Sequence, residues 1–197
     1  MNERKQGDTV NSQLDIAKNR SAKKWTKVEL IQRALWEAIG SVVFRVMPRQ
    51  LWFTRRVILR CFGATVGRDV HIAPSVKIAI PGNLKLDDFC AIGSGAILYS
   101  LGRIEVGACA TVSQYAHICA GSHDHFSVTM ELLKTPIQIG ADAWVCADAF
   151  IGPGVNVGAG AVIGARAVVT KSVSAKAIMV GNPAQSVGTR QIGPAEK

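Results

Sequence analysis

The sequence predicts an all-β domain, a parallel β-helix of about five triangular coils that follows an N-terminal helical segment. Three observations predict it: an aliphatic residue at every sixth position, a small or apolar residue two positions before each of them, and interruptions at regular intervals. Alternation by two within a period of six indicates short strands joined by tight turns, each strand directing two side chains inward. A six-residue period is typical of a parallel β-helix.

The N-terminal third differs in composition from the rest. Residues 1–24 are polar and basic, and we expect a disordered basic tail there. An amphipathic helical segment follows over residues 25–63. Its first helix is predicted to begin at a capping box formed by Thr26 and Glu29 and to end near Pro48, after which a second helix completes the segment.

Most of the positive charge lies in this N-terminal third. Residues 1–62 hold 13 of the 23 Lys and Arg but only 5 of the 14 Asp and Glu, and tryptophans stand among the arginines. We expect the helices to dock on the β-helix, cap its open end and leave their arginines in solvent. Aromatic rings beside cations also suit an anionic membrane surface, so peripheral contact through residues 25–63 is a further expectation. No nucleic-acid-binding motif accompanies the charge, which argues against that partner.

The hexapeptide count runs over residues 64–173, and its interruptions predict a site. The step lengthens to eight residues after Ile78 and Leu98, and to twenty-one after Ile118. Three hexads separate successive interruptions, so all three should lie at one corner on successive coils. The longest, residues 119–136, carries two histidines and an aspartate and is predicted to be the catalytic loop. Residues 174–197 are expected to form a C-terminal tail. The fifteen counted residues are Val66, Ile72, Ile78, Leu86, Ile92, Leu98, Val106, Val112, Ile118, Ile139, Val145, Ile151, Val157, Ile163 and Val169.

The cysteine pattern and hydropathy predict a cytoplasmic protein. The five cysteines include no CxxC pair, and an odd, scattered set is typical of free thiols in a reducing compartment. No secretory signal is recognised, and no run reaches the ~18 apolar residues of a membrane span. We therefore expect a cytoplasmic location, with any membrane association peripheral to the inner face of the plasma membrane.

Residues 64–183 resemble the hexapeptide-repeat acyltransferases. The motifs that carry the resemblance are GSHDH, PIQIGADAWVCADAFIGPGVNVGAGAVIGARAVVTKSV and VGNPA. The resemblance is to the branch of the colanic acid biosynthesis acetyltransferases, near the nodulation, maltose and galactoside enzymes. The helical segment before the repeats also resembles this branch, over ALWEAIGSVVFRVMPRQLWFTRRVILRCFGA. The resemblance implies a left-handed β-helix that transfers acetyl from acetyl-CoA to a hydroxyl without a metal. It also implies a homotrimer with active sites between subunits.

The resemblance places the catalytic base in the longest interruption. A hydroxyl must lose its proton as it attacks a thioester, and histidine, with an ordinary pKa of about 6.5, is a suitable base at neutral pH. The family's catalytic histidine lies in the motif that matches GSHD, which implies His123. A partner that fixes the tautomer of this histidine is expected, and Glu131, in the same loop, and Glu105, one coil earlier, are both candidates.

Acceptor contacts are expected around this loop. Asp124 and His125 are neighbours that could bind sugar hydroxyls. The related galactoside and maltose enzymes use an Asn one coil earlier for the acceptor, but the corresponding stretch LYSLGR of this chain offers Tyr99, Ser100 and Arg103 instead.

Cofactor contacts are also carried over by resemblance. Two alanines match the positions that contact the pantetheine of the cofactor, and a tryptophan could line the site. A Thr-Lys pair matches the position at the nucleotide end of the cofactor, where an ammonium group can bind phosphate. Gln185 stands where the family often has a basic residue, so Arg190 is our substitute. The expected acetyl-CoA contacts are Trp144, Ala147, Ala165, Thr170, Lys171 and Arg190.

The acceptor implied by this branch is a sugar hydroxyl in exopolysaccharide or lipid-linked oligosaccharide biosynthesis. A small non-saccharide acceptor, such as serine or a xenobiotic, is the alternative. A γ-carbonic-anhydrase-like zinc enzyme would need three converging ligands, whereas His117 and His123 should lie on adjacent faces of the triangle. A non-catalytic scaffold would not need the GSHD loop or the Thr-Lys pair.

Overall fold

The computed structural model describes residues 14–191 and residue 193. Most of the tail that we expected over residues 1–24, and the end of the C-terminal tail, lie outside these residues. The described part of the N-terminal tail is partly helical, because it contains a short helix, α1 (Ile16–Ser21). The carboxylate of Asp15 accepts a hydrogen bond from the backbone N–H of Lys18 and so caps the helix.

The helical segment begins at a capping box. The hydroxyl of Thr26 accepts from the N–H of Glu29 at 3.2 Å, and the Glu29 carboxylate accepts from the N–H of Thr26 at 2.7 Å, so the predicted capping box is present. The first helical run ends before Pro48, as expected. Its elements are α2 (Lys27–Leu35), a π-helical turn (Trp36–Gly40) and α3 (Ser41–Val46), and α4 (Trp52–Cys61) follows.

Short parallel strands then wind through successive coils. The first three coils consist of β1 (Thr65–Val66), β2 (His71–Ile72), β3 (Lys77–Ile78), β4 (Leu84–Leu86), β5 (Ala91–Ile92), β6 (Ile97–Tyr99), β7 (Ile104–Val106), β8 (Thr111–Val112) and β9 (His117–Cys119). After an inserted hairpin of β10 (Ser122–His123) and β11 (Leu132–Leu133), the next two coils consist of β12 (Ile137–Ile139), β13 (Trp144–Val145), β14 (Phe150–Ile151), β15 (Asn156–Val157), β16 (Val162–Ile163) and β17 (Val168–Val169).

These strands form the three faces of a triangular β-solenoid, so the predicted fold class is confirmed. The first face has the order β1-β4-β7-β12-β15, the second contains β2, β5, β8, β13 and β16, and the third has the order β3-β6-β9-β14-β17. A sixth turn begins beyond the five predicted coils. It contains a parallel bridge between Val173 and Val157, and β18 (Ala177–Val180), which extends the second face and pairs with the antiparallel strand β19 (Gln185–Thr189).

The three interruptions of the count lie at one corner, as the sequence predicts. Each falls between a strand of the third face and the next strand of the first face: β3 to β4, β6 to β7, and β9 to β12. The first contains a 3-10 turn (Pro81–Asn83) and the third contains the β10–β11 hairpin. We call this edge the insertion corner. The counted aliphatic side chains fill the interior, and nearly all of them are buried.

Glycine is required at corners where neighbouring coils touch. A Cβ atom on Gly107 would lie 2.6 Å from the backbone nitrogen of Ala141, and one on Gly140 would lie 2.5 Å from that of Ala159. Real Cβ atoms do not approach backbone so closely, so a side chain at either position would push the coils apart. This explains why glycine follows the counted residue at these positions.

Helix α4 closes the open end of the solenoid, as expected, but one of its arginines is fully buried. The Nε atom of Arg55 donates to the carbonyl of Ile72 at 2.8 Å, and Nη1 donates to that of Pro48 at 2.9 Å. Further hydrogen bonds reach the carbonyls of Met47 and Arg49. The expectation that the helix arginines stay in solvent is therefore wrong for Arg55. Its guanidinium satisfies carbonyls at the point where the helices meet the first coil.

The outer surface of the helices carries several exposed apolar side chains. Val28, Ile31, Ile39, Val46 and Phe53 are each more than half exposed, whereas Trp36, Phe44 and Leu59 of the same segment pack into the core. In the part of the chain that the structure describes, no helix has the length and apolar character needed to cross a membrane.

The cysteines of the described residues are all free thiols. Cys90 lies in the solenoid core with no exposed surface, and burial raises the pKa of its thiol to about 12. Because the thiolate is the reactive form, Cys90 is suited to packing rather than to chemistry.

Candidate active site

The hairpin at the insertion corner holds His123. Strand β10 pairs antiparallel with β11, and His123 stands opposite Leu132. The imidazole is exposed, and its Nδ1 atom lies 2.7 Å from the carbonyl oxygen of Met130. A carbonyl can only accept, so Nδ1 carries the proton and Nε2 keeps the lone pair. The arrangement leaves Nε2 as the nitrogen that can take a proton from a substrate.

Neither glutamate that we proposed as the orienting group contacts His123. The Glu131 carboxylate accepts from the hydroxyl of Thr129 at 3.2 Å, and that of Glu105 pairs with Arg103 at 2.6 Å and with Lys85 at 3.9 Å. The partner of the imidazole is a backbone carbonyl instead. Sequence analysis could not find it, because every residue has a carbonyl and only the turn of the hairpin brings this one to Nδ1.

Asn19 of helix α1 supports the same carbonyl. Its side chain is 8% exposed, and its Nδ2 atom donates to the carbonyl of Met130 at 2.7 Å and also to that of Thr129. The N–H of Asp15 donates to the carbonyl of Val128 at 2.9 Å. Helix α1 therefore holds the loop segment that orients His123. The sequence analysis missed Asn19 because it treated residues 1–24 as a tail; the capping aspartate was the available signal.

Three of the proposed acceptor residues lie close to the hairpin. A Cβ atom on Gly121, two residues before His123, would lie 3.1 Å from the ring of Tyr99, so this partly exposed ring borders the start of the hairpin. Asp124 follows His123 and accepts from the N–H of Phe126 at 3.0 Å, which shapes the hairpin tip. His125 is exposed there, with its ring centroid 4.1 Å from that of Phe126.

The other two proposed acceptor residues are engaged elsewhere. Ser100 has no exposed surface, and its hydroxyl accepts from the N–H of Ile80 at 2.9 Å and donates to the carbonyl of the same residue at 2.8 Å. The proposal that Ser100 binds the acceptor is therefore wrong, since this hydroxyl joins two successive insertions. Arg103 is exposed at the insertion corner, and its guanidinium is paired with Glu105.

One protomer distributes the proposed cofactor residues over different edges. Ala147 and Ala165 stack on successive coils between the second and third faces, where the N–H of Arg166 donates to the carbonyl of Ala147 at 2.9 Å. Thr170 and Lys171 are exposed at the insertion corner, two coils beyond the hairpin.

The last two proposed cofactor residues share a cavity of about 330 Å³ near the edge between the first and second faces. The indole of Trp144 donates to the hydroxyl of Ser113 at 2.9 Å, and the guanidinium of Arg190 donates to the carbonyl of Asp142 at 2.7 Å. The structure therefore brings Trp144 and Arg190 together, but it does not bring either of them to His123 within one chain.

The described histidines are dispersed. His71 stacks on Trp52, with ring centroids 4.7 Å apart, and His117 lies between Tyr99 and Phe150. Burial lowers the pKa of His117. Within residues 14–191 and 193, no group of three His, Cys, Asp or Glu side chains is placed to hold a metal ion. This distribution does not fit the convergent ligands of the zinc-enzyme alternative.

Comparisons with known proteins agree with this architecture. A family model described as bacterial transferase hexapeptide (six repeats) matches residues 136–171. Proteins of Escherichia coli (strain K12) and Shigella flexneri, provisionally named colanic acid biosynthesis acetyltransferase WcaF, are each 42% identical over 160 residues, which is 81% of this chain and 88% of each relative.

Solved structures share the fold. A maltose O-acetyltransferase from Clostridium difficile 630 superposes with a TM-score of 0.78 at 20% identity, covering 92% of this chain and 100% of the other. A hexapeptide-repeat-containing acetyltransferase from Vibrio cholerae, in complex with acetyl coenzyme A, gives 0.78 at 17% identity, covering 86% and 93%. The structural matches establish the fold, and the identity to the curated relatives establishes that the chain belongs to the hexapeptide-repeat acetyltransferases.

Proposed function

We propose that the chain is an O-acetyltransferase that moves acetyl from acetyl-CoA to a hydroxyl of a saccharide, in the biosynthesis of an exopolysaccharide or a lipid-linked oligosaccharide. The observation that carries the proposal is the contact between Nδ1 of His123 and the carbonyl of Met130, because it leaves Nε2 as a free base on an exposed hairpin. The name of the relatives and the acetyl coenzyme A complex of a structural neighbour support the substrates.

The proposed reaction needs one base and no metal. As the acceptor oxygen attacks the thioester carbonyl, Nε2 of His123 takes its proton and a C–O bond forms. The tetrahedral intermediate collapses by breaking the C–S bond, and the imidazolium returns the proton to the departing sulfur. The products are an acetate ester and CoA. The carbonyl of Met130 stabilises the imidazolium while the charge exists.

We further propose a homotrimer in which each site is shared by two subunits. The proposal is supported by the spread of the cofactor residues: Ala147 and Trp144 lie along edges of the prism other than the insertion corner that carries His123, so a neighbouring subunit is needed to bring such residues to the imidazole. Sedimentation equilibrium at the mass of a single chain would contradict this arrangement.

Peripheral membrane contact is a further proposal, and it concerns residues 25–63. The exposed apolar side chains of α2, α3 and α4, among them Ile31, Val46 and Phe53, could enter the interfacial region of a bilayer beside exposed arginines such as Arg45 and Arg49. Co-sedimentation with anionic vesicles but not with neutral ones would support this contact. Equal recovery in the supernatant with both would contradict it.

The acceptor class is tested by measuring CoA release from acetyl-CoA over a panel of acceptors. Saccharides should give the largest rates, with formation of an acetate ester detected by mass spectrometry. Faster turnover of serine or of hydroxylated xenobiotics would favour the small-acceptor alternative. Absence of acetyl-CoA binding and of CoA release throughout would instead favour a non-catalytic scaffold.

Asn19 is expected to affect turnover through the position of His123. Asn19→Ala removes the donor to the carbonyls of Thr129 and Met130, so the hairpin loses its side-chain hydrogen bonds to α1 and the imidazole shifts. We expect kcat to fall about 10- to 100-fold, with little change in the KM for acetyl-CoA. Ser21→Ala is the matched control, since that exposed hydroxyl bonds only within the helix, to Lys18. Equal effects of the two substitutions would contradict this role.

A further inference from the structure

A basic pocket lies between helix α1 and the hairpin. Its volume is about 350 Å³, and it is lined by the lysines at positions 18, 23, 24 and 134, with Asn19 and Leu132 among its other walls. Glu131 is the one acidic side chain of the lining, and its carboxylate accepts from Thr129. We call this cavity the basic pocket.

The basic pocket adjoins the proposed base. Asn19 Nδ2 and His123 Nδ1 each lie 2.7 Å from the same carbonyl oxygen, that of Met130. On the opposite strand of the hairpin, Leu132 lines the pocket and is the Cα partner of His123. The pocket and the imidazole are thus linked through one carbonyl and one cross-strand pair, so a molecule held in the pocket lies at the hairpin that carries His123.

The four lysines of the pocket have different roles. Lys24 is fixed, because its ammonium donates to Oδ1 of Asn19. Lys134 is also fixed, by a hydrogen bond of 3.0 Å to the carbonyl of Lys24, an ion pair of 3.7 Å with Glu29 and the face of Trp25. Lys18 and Lys23 are exposed at the rim. Lys24 and Lys134 supply positive potential at fixed positions, and the exposed ammonium groups of Lys18 and Lys23 can contact a bound anion.

We propose that the basic pocket binds the phosphate groups of a phosphate-bearing saccharide acceptor, which places the sugar beside His123. The inference rests on the proposed acetyl transfer and specifies its acceptor. The lining contains lysines and no arginine. Lysine binds phosphate as a point charge, and the lining carries four lysines against one glutamate, an excess of positive charge that suits a phosphate ester or diphosphate better than the single negative charge of a uronic acid.

The binding experiment uses inorganic diphosphate as the probe, titrated calorimetrically into protein saturated with CoA. The test variant is Lys18→Gln/Lys23→Gln. The control is Lys27→Gln/Lys77→Gln, which removes the same charge from exposed positions outside the pocket. We expect the dissociation constant to rise at least about tenfold in the test variant and less than about twofold in the control. Equal weakening in the two variants, or no binding to the wild type, would overturn the proposal.

Two competitors distinguish the source of the phosphate. Uridine diphosphate glucose represents a nucleotide sugar, and farnesyl diphosphate represents a prenyl diphosphate carrier. Displacement of inorganic diphosphate by either one supports the proposal and identifies the source, and displacement by neither overturns it. The titration does not depend on turnover, so an enzyme that binds diphosphate through Lys18 and Lys23 but releases no CoA would refute the acetyl transfer alone.

Discussion

Replacing His123 with alanine is expected to lower kcat for acetyl transfer by about 10²- to 10⁴-fold. The substitution removes the imidazole, whose Nδ1 atom is held by the carbonyl of Met130 and whose Nε2 atom keeps a free lone pair. Water is a poor substitute for a base that is positioned in this way. Because the thioester is bound by other groups, the affinity for acetyl-CoA should change little. The expected pattern is a large fall in kcat with an almost unchanged dissociation constant for acetyl-CoA.

Steady-state CoA release and calorimetric binding of acetyl-CoA measure the two quantities separately. His125→Ala is the control, since this exposed histidine lies two residues away and its recorded ring contact is with Phe126. We expect that variant to keep kcat within about tenfold of the wild type, because it loses contacts to the acceptor at most. A His123→Ala enzyme with wild-type turnover would refute the base, and so would an equally inactive His125→Ala enzyme.

The solenoid was predictable because its local rule is simple and repeats. Each short strand must direct two side chains inward, so Val112, Val145 and Ile163 mark the same face on successive coils before any tertiary contact is known. The shared corner of the insertions followed from counting alone. The interior of a triangular prism imposes the same size limit on every coil, and this is why the pattern persists through the whole domain.

The contacts around the site were less predictable, because they depend on long-range geometry. Asn19 is 111 residues from Met130 along the chain, and nothing local to either residue indicates the hydrogen bond between them. Ser100 failed as an acceptor residue for the same reason: a serine in a loop suggests a free hydroxyl, but an adjacent insertion takes both of its hydrogen bonds. Arg55 is a third case, since arginines of amphipathic helices are mostly exposed.

Arg55→Ala is expected to reduce the free energy of unfolding by about 3–5 kcal/mol. The guanidinium donates to the carbonyls of Ile72, Met47, Pro48 and Arg49, and it packs 4.9 Å from the ring of Trp52. A buried carbonyl left without a donor costs about 1–3 kcal/mol, and alanine leaves a cavity in addition. The loss stays below the total for four orphaned carbonyls, because water can enter part of the vacated space.

Urea denaturation followed by circular dichroism, at a fixed protein concentration, measures this change. Arg45→Ala is the control, because that arginine is exposed on α3 and its loss should alter the free energy of unfolding by less than about 0.5 kcal/mol. Arg55→Lys should lie between alanine and the wild type, since a single ammonium cannot reach all the carbonyls that a planar guanidinium joins. If Arg55→Ala were as stable as Arg45→Ala, the helices would be held by apolar packing alone, and the buried cation would not be what closes the first coil.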